Sequence, residues 1–351
     1  MHVSAHAPPT QPPYPADDAR PRRIGATSVR LSPLGFGAAP IGNLYSEVDE
    51  EVALAAVRAA HAGGIRHFDS APYYGYGLSE TRLGRALAGL PRESYTLSTK
   101  VGRRLIEDPG AQAGRDGFAV AGWRAEFDYS RDGVLRAFES SLQRLGTDRI
   151  DILLLHDIGR LTHGERHAEV LRQALDEALP TMAELKTQGV CGAIGLGVNE
   201  QDVALDVLAE TALDCIMLAG RYTLLEQHGA RTLLDEAQRR GVSLLVAGPY
   251  SSGLLGDPRG PGQTYNYAPA DADTLAHARR LYAACAAHDV DTGAAALQFP
   301  LAHPAVAAVV AGLRTPEEVA TALSRLHASL PAALWGELRA QGLLEADLPT
   351  P

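Results

Sequence analysis

The 351-residue sequence predicts one α/β domain, a single (β/α)8 TIM barrel with an N-terminal hairpin and long active-face loops. Three observations carry that expectation. Short apolar runs alternate with helix-period segments along nearly the whole chain, and strict β-then-α order calls for parallel strands joined by right-handed crossovers. Eight such runs occur, the strand number that closes a barrel. The GxGxxG fingerprint of a doubly wound dinucleotide-binding sheet is missing, because Gly35-Phe36-Gly37, Gly75-Tyr76-Gly77 and Gly195-Leu196-Gly197 each lack the third glycine.

Residues 1–21 are rich in Pro, Ala and small polar residues and read as a disordered tail. They lack the basic start and apolar centre of a signal peptide. The barrel is expected over residues 22–345. Arg23–Leu31 alternates around turn residues, as a hairpin does. Leu34–Ala39 is the first strand, and Val52, Ala55, Ala56 and Ala59 give Glu51–Ala62 a helical stripe ending at Gly63-Gly64. Further strands are expected at Ile65–Asp69, Tyr95–Val101, Ile150–His156, Val190–Val198, Ile216–Ala219, Val242–Gly248 and Val306–Gly312. The intervening helices are Glu80–Ala88 (capped by Ser79), Val134–Leu145, Ala168–Thr187, Gln201–Glu210, Ala230–Arg240, Thr274–His288 and Pro316–Leu326. A closing helix near Ala332–Ala340 would cover the barrel floor or its rim. Connections 102–132, 157–167 and 249–273 exceed the usual few residues and read as structureless lids or binding loops.

Composition narrows the partners. The formal charge of −10 disfavours nucleic acid and anionic membrane surfaces. No apolar run approaches a membrane span. Cys191, Cys215 and Cys285 form no CxxC pair and leave one over in any disulfide scheme, which suits a reducing compartment. A cytoplasmic protein acting on a small molecule is expected, with homo-oligomerisation left open.

Polar groups stand where apolar strands run out, the place where α/β barrels keep their chemistry. Asp69, Lys100 and His156 each end a strand, and Tyr74 lies on the loop after Asp69. Of the 32 basic residues only Lys100 and Lys186 are lysines. A lysine at such a place suggests work for a compact ammonium rather than a planar fork. A phenol titrates near pH 10 and is a poor acid or base at neutrality; an adjacent ammonium favours phenolate, and a carboxylate holds the ammonium. A neutral imidazole can hydrogen-bond a carbonyl or alcohol oxygen. Such a set transfers protons without a metal or covalent nucleophile. His67 reads as a core or supporting residue. Trp123 and Phe127 could wall a pocket or pack their own loop, and His163, Glu165 and His167 read as surface residues rather than metal ligands.

The runs Phe68-Asp69-Ser70-Ala71-Pro72-Tyr73-Tyr74-Gly75, Ser98-Thr99-Lys100 and Leu154-Leu155-His156-Asp157 resemble the tetrad motifs of the aldo-keto reductase superfamily. The resemblance runs from about Arg23 to Leu326. Leu218–Leu225 and Ser251–Leu255 are similar to the L-fucose (D-threo-aldose) 1-dehydrogenase branch. It implies NAD(P)-dependent hydride transfer at C1 of an aldose, giving the lactone. Alternatives are another small aldehyde such as pyridoxal, or a non-catalytic nicotinamide-binding subunit. Tyr74 would be the general acid or base, Lys100 would tune it, Asp69 would fix Lys100, and His156 would orient the substrate oxygen. Tyr73 and Tyr76 compete with Tyr74, and only the family register separates them.

The resemblance further implies a cofactor lying across the barrel mouth on Gly37, Ala38, Asp69, Asn199, Tyr222, Ser251, Gly253, Leu254, Gly312, Arg314 and Glu318. The substrate would meet Tyr45, Tyr73, Trp123 and His156. Ala219 stands where the family often has Gln, and Val246-Ala247-Gly248-Pro249 lacks the tyrosine that usually stacks on nicotinamide, a place Pro249, Tyr250 or Tyr222 could fill. Glu317-Glu318 replaces the arginine of NADPH-preferring members, which favours NAD, although Arg314 could still pair with a phosphate.

Overall fold

A computed structural model describes residues 21–266 and 268–351. The expected disordered tail, apart from Pro21, lies outside them. Strands β1 (Arg22–Arg23) and β2 (Arg30–Leu31) form the antiparallel hairpin. There follow β3 (Leu34–Gly37), α1 (Glu50–Ala62), β4 (His67–Asp69), α2 (Leu78–Leu87) and β5 (Thr96–Val101). A second hairpin, β6 (Arg103–Glu107) and β7 (Trp123–Phe127), precedes α3 (Arg131–Leu145) and β8 (Ile150–His156). Next come α4 (Arg160–His163), α5 (His167–Gln173), α6 (Leu179–Thr187), β9 (Cys191–Val198), α7 (Gln201–Glu210), β10 (Cys215–Ala219), α8 (Arg231–Arg240) and β11 (Ser243–Ala247). The two-residue ladder β12 (Thr264–Tyr265) and β13 (Ala268–Pro269) leads to α9 (Ala272–Ala287), α10 (Thr292–Gln298), β14 (Val306–Gly312), α11 (Pro316–His327) and α12 (Ala332–Ala340).

Strands β3, β4, β5, β8, β9, β10, β11 and β14 close a parallel barrel in chain order. Period-two alternation sorts its residues into two layers. On β8, Leu153 and Leu155 face the helices, whereas Ile152 and Leu154 fill the interior with Ala193, Met217, Leu245 and Val310. Ile24, Val29 and Leu31 of the first hairpin join that interior cluster and stopper the end opposite His156. Arg22 fastens the stopper by donating to the carbonyls of Leu301 and Val306. Helix α12 therefore neither floors nor rims the barrel. It packs on the flank, with Trp335 near Phe299 and Glu337 paired to His288.

Local chemistry explains the helix ends. The carboxylates of Asp49 and Asp271 and the hydroxyls of Ser130 and Thr315 accept first-turn N–H groups of α1, α9, α3 and α11. Three expectations change. Ser79 does not cap α2: the helix starts at Leu78, and the Ser79 hydroxyl donates to Ala38 O at 2.7 Å, inside the first turn. The single helix expected over Ala168–Thr187 is interrupted by a π-turn at Ala174–Ala178, just ahead of Pro180, which has no N–H for a regular α ladder. The long connections are not structureless. The first carries β6 and β7, the second α4, and the third β12 and β13.

Candidate active site

Strand pairing sets Asp69 beside Ser98, Lys100 beside Leu154 and His156 beside Gly197. Lys100, Asp69 and His156 all point inward at the same end of the barrel. Gly197 borders the lysine, a Cβ there reaching ordinary contact with Lys100 Cε at 3.4 Å. The Lys100 ammonium donates to Asp69 Oδ2 and to Ser70 O, each at 2.8 Å. It also lies 4.6 Å from the Tyr74 ring centroid and hydrogen-bonds the phenol. Burial alone would drive the lysine down, but Asp69 and Tyr74 outweigh it and hold Lys100 above its ordinary range.

Tyr74 arrives by a tight turn. Gly75, at φ +62°, crosses so close to Gly42 that a Cβ would sit 2.2 Å from its carbonyl oxygen. Of the three competing tyrosines only Tyr74 meets Lys100. Tyr73 lies under the Arg103 guanidinium at 3.8 Å, and burial pushes its phenol up to about 12. Tyr76 donates to Asp116 at 3.0 Å on the 115–117 turn. The His156 ring stands edge-on to Tyr74, with centroids 6.0 Å apart. Burial pushes its pKa down to about 3; Asp157 opposes this while Arg103 and Lys100 add to it, so the imidazole is neutral at physiological pH. A phenol with an ammonium at its oxygen, beside a neutral imidazole, can exchange a proton with an oxygen held between them.

Several neighbours complete the site; Ser98, Phe118 and Arg103 escaped sequence reasoning, whereas His67 takes the supporting place expected of it. Ser98 donates to Asp69 Oδ1 at 2.6 Å and, below it, His67 lies 3.4 Å from the same hydroxyl. Phe118, 2% exposed, packs against Tyr73, Tyr74 and Tyr76. It is placed by a bridge between Leu44 and Phe118, a pairing no local pattern announces. Arg103 pairs with Asp157 at 2.5 Å. Of the three residues expected at the surface, Glu165 is exposed, His163 is half-buried and bonds Asp157 O and the Tyr129 hydroxyl, and only His167 is buried, bonding Ile158 O. Their position after a catalytic strand end was the available signal.

The remaining expected residues scatter around the mouth. Gly37 and Ala38 are buried at the end of β3. Tyr45 is exposed, its N–H donating to Gly117 O. Trp123 stands opposite Glu107, at the far end of the hairpin from Phe127, which lies against Arg103 and His163. Asn199 follows β9, and its carbonyl accepts from Arg221. Ser251 ties its hydroxyl to Thr223. Leu254 is fully buried, its N–H donating to Ser251 O and its carbonyl accepting from Gly262 N–H. Tyr222 is fully buried, its ring 5.1 Å from Phe299 and 5.9 Å from His303. At Gly220, Gly248 and Gly253 a Cβ would meet nothing within 4 Å. That glycine-lined sector and the exposed backbone at Gly312 leave open space of the kind an extended dinucleotide needs.

Comparison with known proteins identifies the family and agrees with the barrel fold. The model of the Aldo/keto reductase family matches residues 33–341. Pyridoxal 4-dehydrogenase of Microbacterium luteolum is 42% identical, covering 92% of this chain and 97% of its own length. D-threo-aldose 1-dehydrogenase of a Pseudomonas species is 37% identical, covering 93% and 97%. A solved aldo-keto reductase of Bacillus halodurans, in its holo form, superposes with a TM-score of 0.73 at 28% identity, covering 94% and 98%. The chain belongs to the aldo/keto reductase family and is an NAD(P)-dependent oxidoreductase. No helix among the described residues is long and apolar enough to cross a membrane.

Proposed function

We propose that the enzyme oxidises the anomeric carbon of a cyclic hemiacetal, an aldose or ring-closed pyridoxal, to the lactone. The observation that carries this reading is the hydrogen-bonded line from Asp69 through Lys100 to Tyr74, beside a neutral His156. Names of two relatives supply the substrate class, since pyridoxal and aldoses both close to hemiacetals. A nicotinamide held across the mouth would supply the hydride acceptor. Tyr74 Oη takes the hydroxyl proton, and the Lys100 ammonium stabilises the phenolate that receives it. Asp69 keeps Lys100 charged and aimed. His156 holds the reacting oxygen; run backwards, the same steps reduce the lactone to the hemiacetal, and the same groups reduce an aldehyde carbonyl to an alcohol.

NAD is the proposed cofactor. Arg314 is engaged by Glu318, which accepts both its Nε–H and its backbone N–H at 2.9 Å. A carboxylate there accepts ribose hydroxyls and repels a 2′-phosphate. Asn199 would hold the carboxamide, and residues 251–254 and 312–315 would follow the pyrophosphate. The test is reduced-nicotinamide absorbance with aldoses and pyridoxal, using NAD and NADP. Lactone formation with NAD is expected; binding of NAD without turnover on any of them would remove the reading.

A further inference from the structure

Arg103 and Asp157 form a polar pair beside the proton-transfer residues, and the backbone is distorted to make it. In a continued strand, the residue after inward-facing His156 would turn outward among the helices. Asp157 instead adopts φ +49°, a left-handed conformation rare outside glycine. Three hydrogen bonds impose it: its N–H donates to Gly197 O at 2.9 Å, and its carbonyl accepts from Tyr129 Oη at 2.7 Å and from His163 Nε2 at 2.8 Å. Strain of this kind persists where the surroundings over-determine it, and it gathers at functional sites. The turn returns the carboxylate to the mouth, with Oδ2 3.4 Å from His156 Nε2.

Arg103 is delivered from the other side by Gly102, at φ +107°, where a Cβ would strike the Tyr129 ring at 2.5 Å. The guanidinium donates to Asp157 Oδ2 at 2.5 Å and lies over the Tyr73 ring, 3.8 Å from its centroid. Its Nε is buried with no partner among the described residues. No described residue donates to Asp157 Oδ1. The pair keeps 11% and 14% of its side-chain surface exposed, so it is nearly dry but reachable from the mouth.

We propose that Asp157 and Arg103 determine specificity by reading a second hydroxyl of the substrate, on the first or second carbon from the reacting one. This rests on the hemiacetal reading above. A substituent on the reacting carbon must pass the pair, because Asp157 adjoins the imidazole that holds the reacting oxygen. A methylene there strips water from two charges and returns nothing. A hydroxyl donates to Asp157 and accepts from Arg103. Sites that hydrogen-bond a substrate hydroxyl reject the analogue lacking it by large factors, whereas apolar pockets discriminate weakly.

The experiment compares kcat/KM for aldoses, their 2-deoxy and 3-deoxy analogues, and 2-hydroxytetrahydropyran, a hemiacetal with no further hydroxyl. Wild type, Asp157→Asn and Arg103→Met are each measured with NAD. The ratio between substrates does not depend on the fraction of a variant that folds, since both substrates report on the same active molecules. Wild type is expected to prefer the hydroxylated hemiacetal by about a hundredfold or more, and each substitution to narrow that preference at least tenfold. Preferences unchanged within about threefold in both variants overturn the assignment while leaving hemiacetal oxidation standing. A wild-type enzyme that oxidises none of these compounds overturns the hemiacetal reading and this inference with it.

Discussion

The Ser98 hydroxyl donates to Asp69 Oδ1 at 2.6 Å, on the side of the carboxylate that Lys100, bound to Oδ2, leaves free. Both oxygens are therefore committed, and the carboxylate cannot rotate away from the ammonium. Hydrogen bonds to a charged group contribute about 1.5–3 kcal/mol. Ser98→Ala is expected to lower unfolding free energy by about that amount and to reduce kcat several-fold with little change in KM. Ser98→Thr, which keeps the hydroxyl, should restore most of both. Urea melts and steady-state kinetics report the two effects separately.

Removing one partner of the Lys100–Asp69 pair should cost more than removing both. The side chains are 2% and 4% exposed, so either single truncation strands a buried charge, at about 3–5 kcal/mol. An apolar pair of similar volume removes both charges. Lys100→Met with Asp69→Leu is expected to be more stable than either single variant, and inactive. A double-mutant cycle by denaturant unfolding measures this; additive losses would contradict it.

Acid should destabilise the fold before carboxylates titrate. Burial holds His67 at about 4 and His156 at about 3, against 6.5 when exposed. Between these values the unfolded chain binds protons that the folded chain refuses, so stability is full above about pH 6.5 and declines as pH falls toward 4. His67→Gln should flatten that slope in unfolding measurements from pH 4 to 8. The kcat/KM profile should show no histidine inflection over the same neutral range, because His156 stays neutral throughout.

Releasing Arg314 should change cofactor choice. Glu318→Gln removes the carboxylate that holds the guanidinium and opposes a 2′-phosphate. The ratio of kcat/KM for NADP over NAD is expected to rise at least about tenfold, in keeping with a shift of 1.4 kcal/mol or more. An unchanged ratio would show that residues 314–318 do not read the adenosine ribose.

The barrel was legible because its signals are local. The strand Ile150–His156 and the helices Gln201–Glu210 and Ala332–Ala340 have the bounds their periodicity predicted. Asp69, Lys100 and His156 announced themselves as polar residues ending apolar runs. What stayed hidden depends on contacts between distant segments. Phe118 reaches Tyr74 only through the bridge to Leu44, and Arg103 becomes a site residue only because Asp157 turns left-handed. Ser79 has the chemistry of a helix cap, but tertiary hydrogen bonds to Ala38 and Ser70 claim its hydroxyl. The burial of Tyr222 was equally hidden: its place near a strand end says nothing about which side of the wall its ring enters.

The central claim, that the Tyr74 phenol carries the substrate proton with Lys100 at its side, is tested most directly by Tyr74→Phe. The substitution keeps the ring that packs on Phe118 and removes only the oxygen. Oxidation of a turned-over hemiacetal should fall about 10²–10⁴-fold, while NADH binding, followed by fluorescence, stays within about threefold of wild type. A variant that keeps more than about a tenth of wild-type kcat at unchanged NADH affinity would contradict the account.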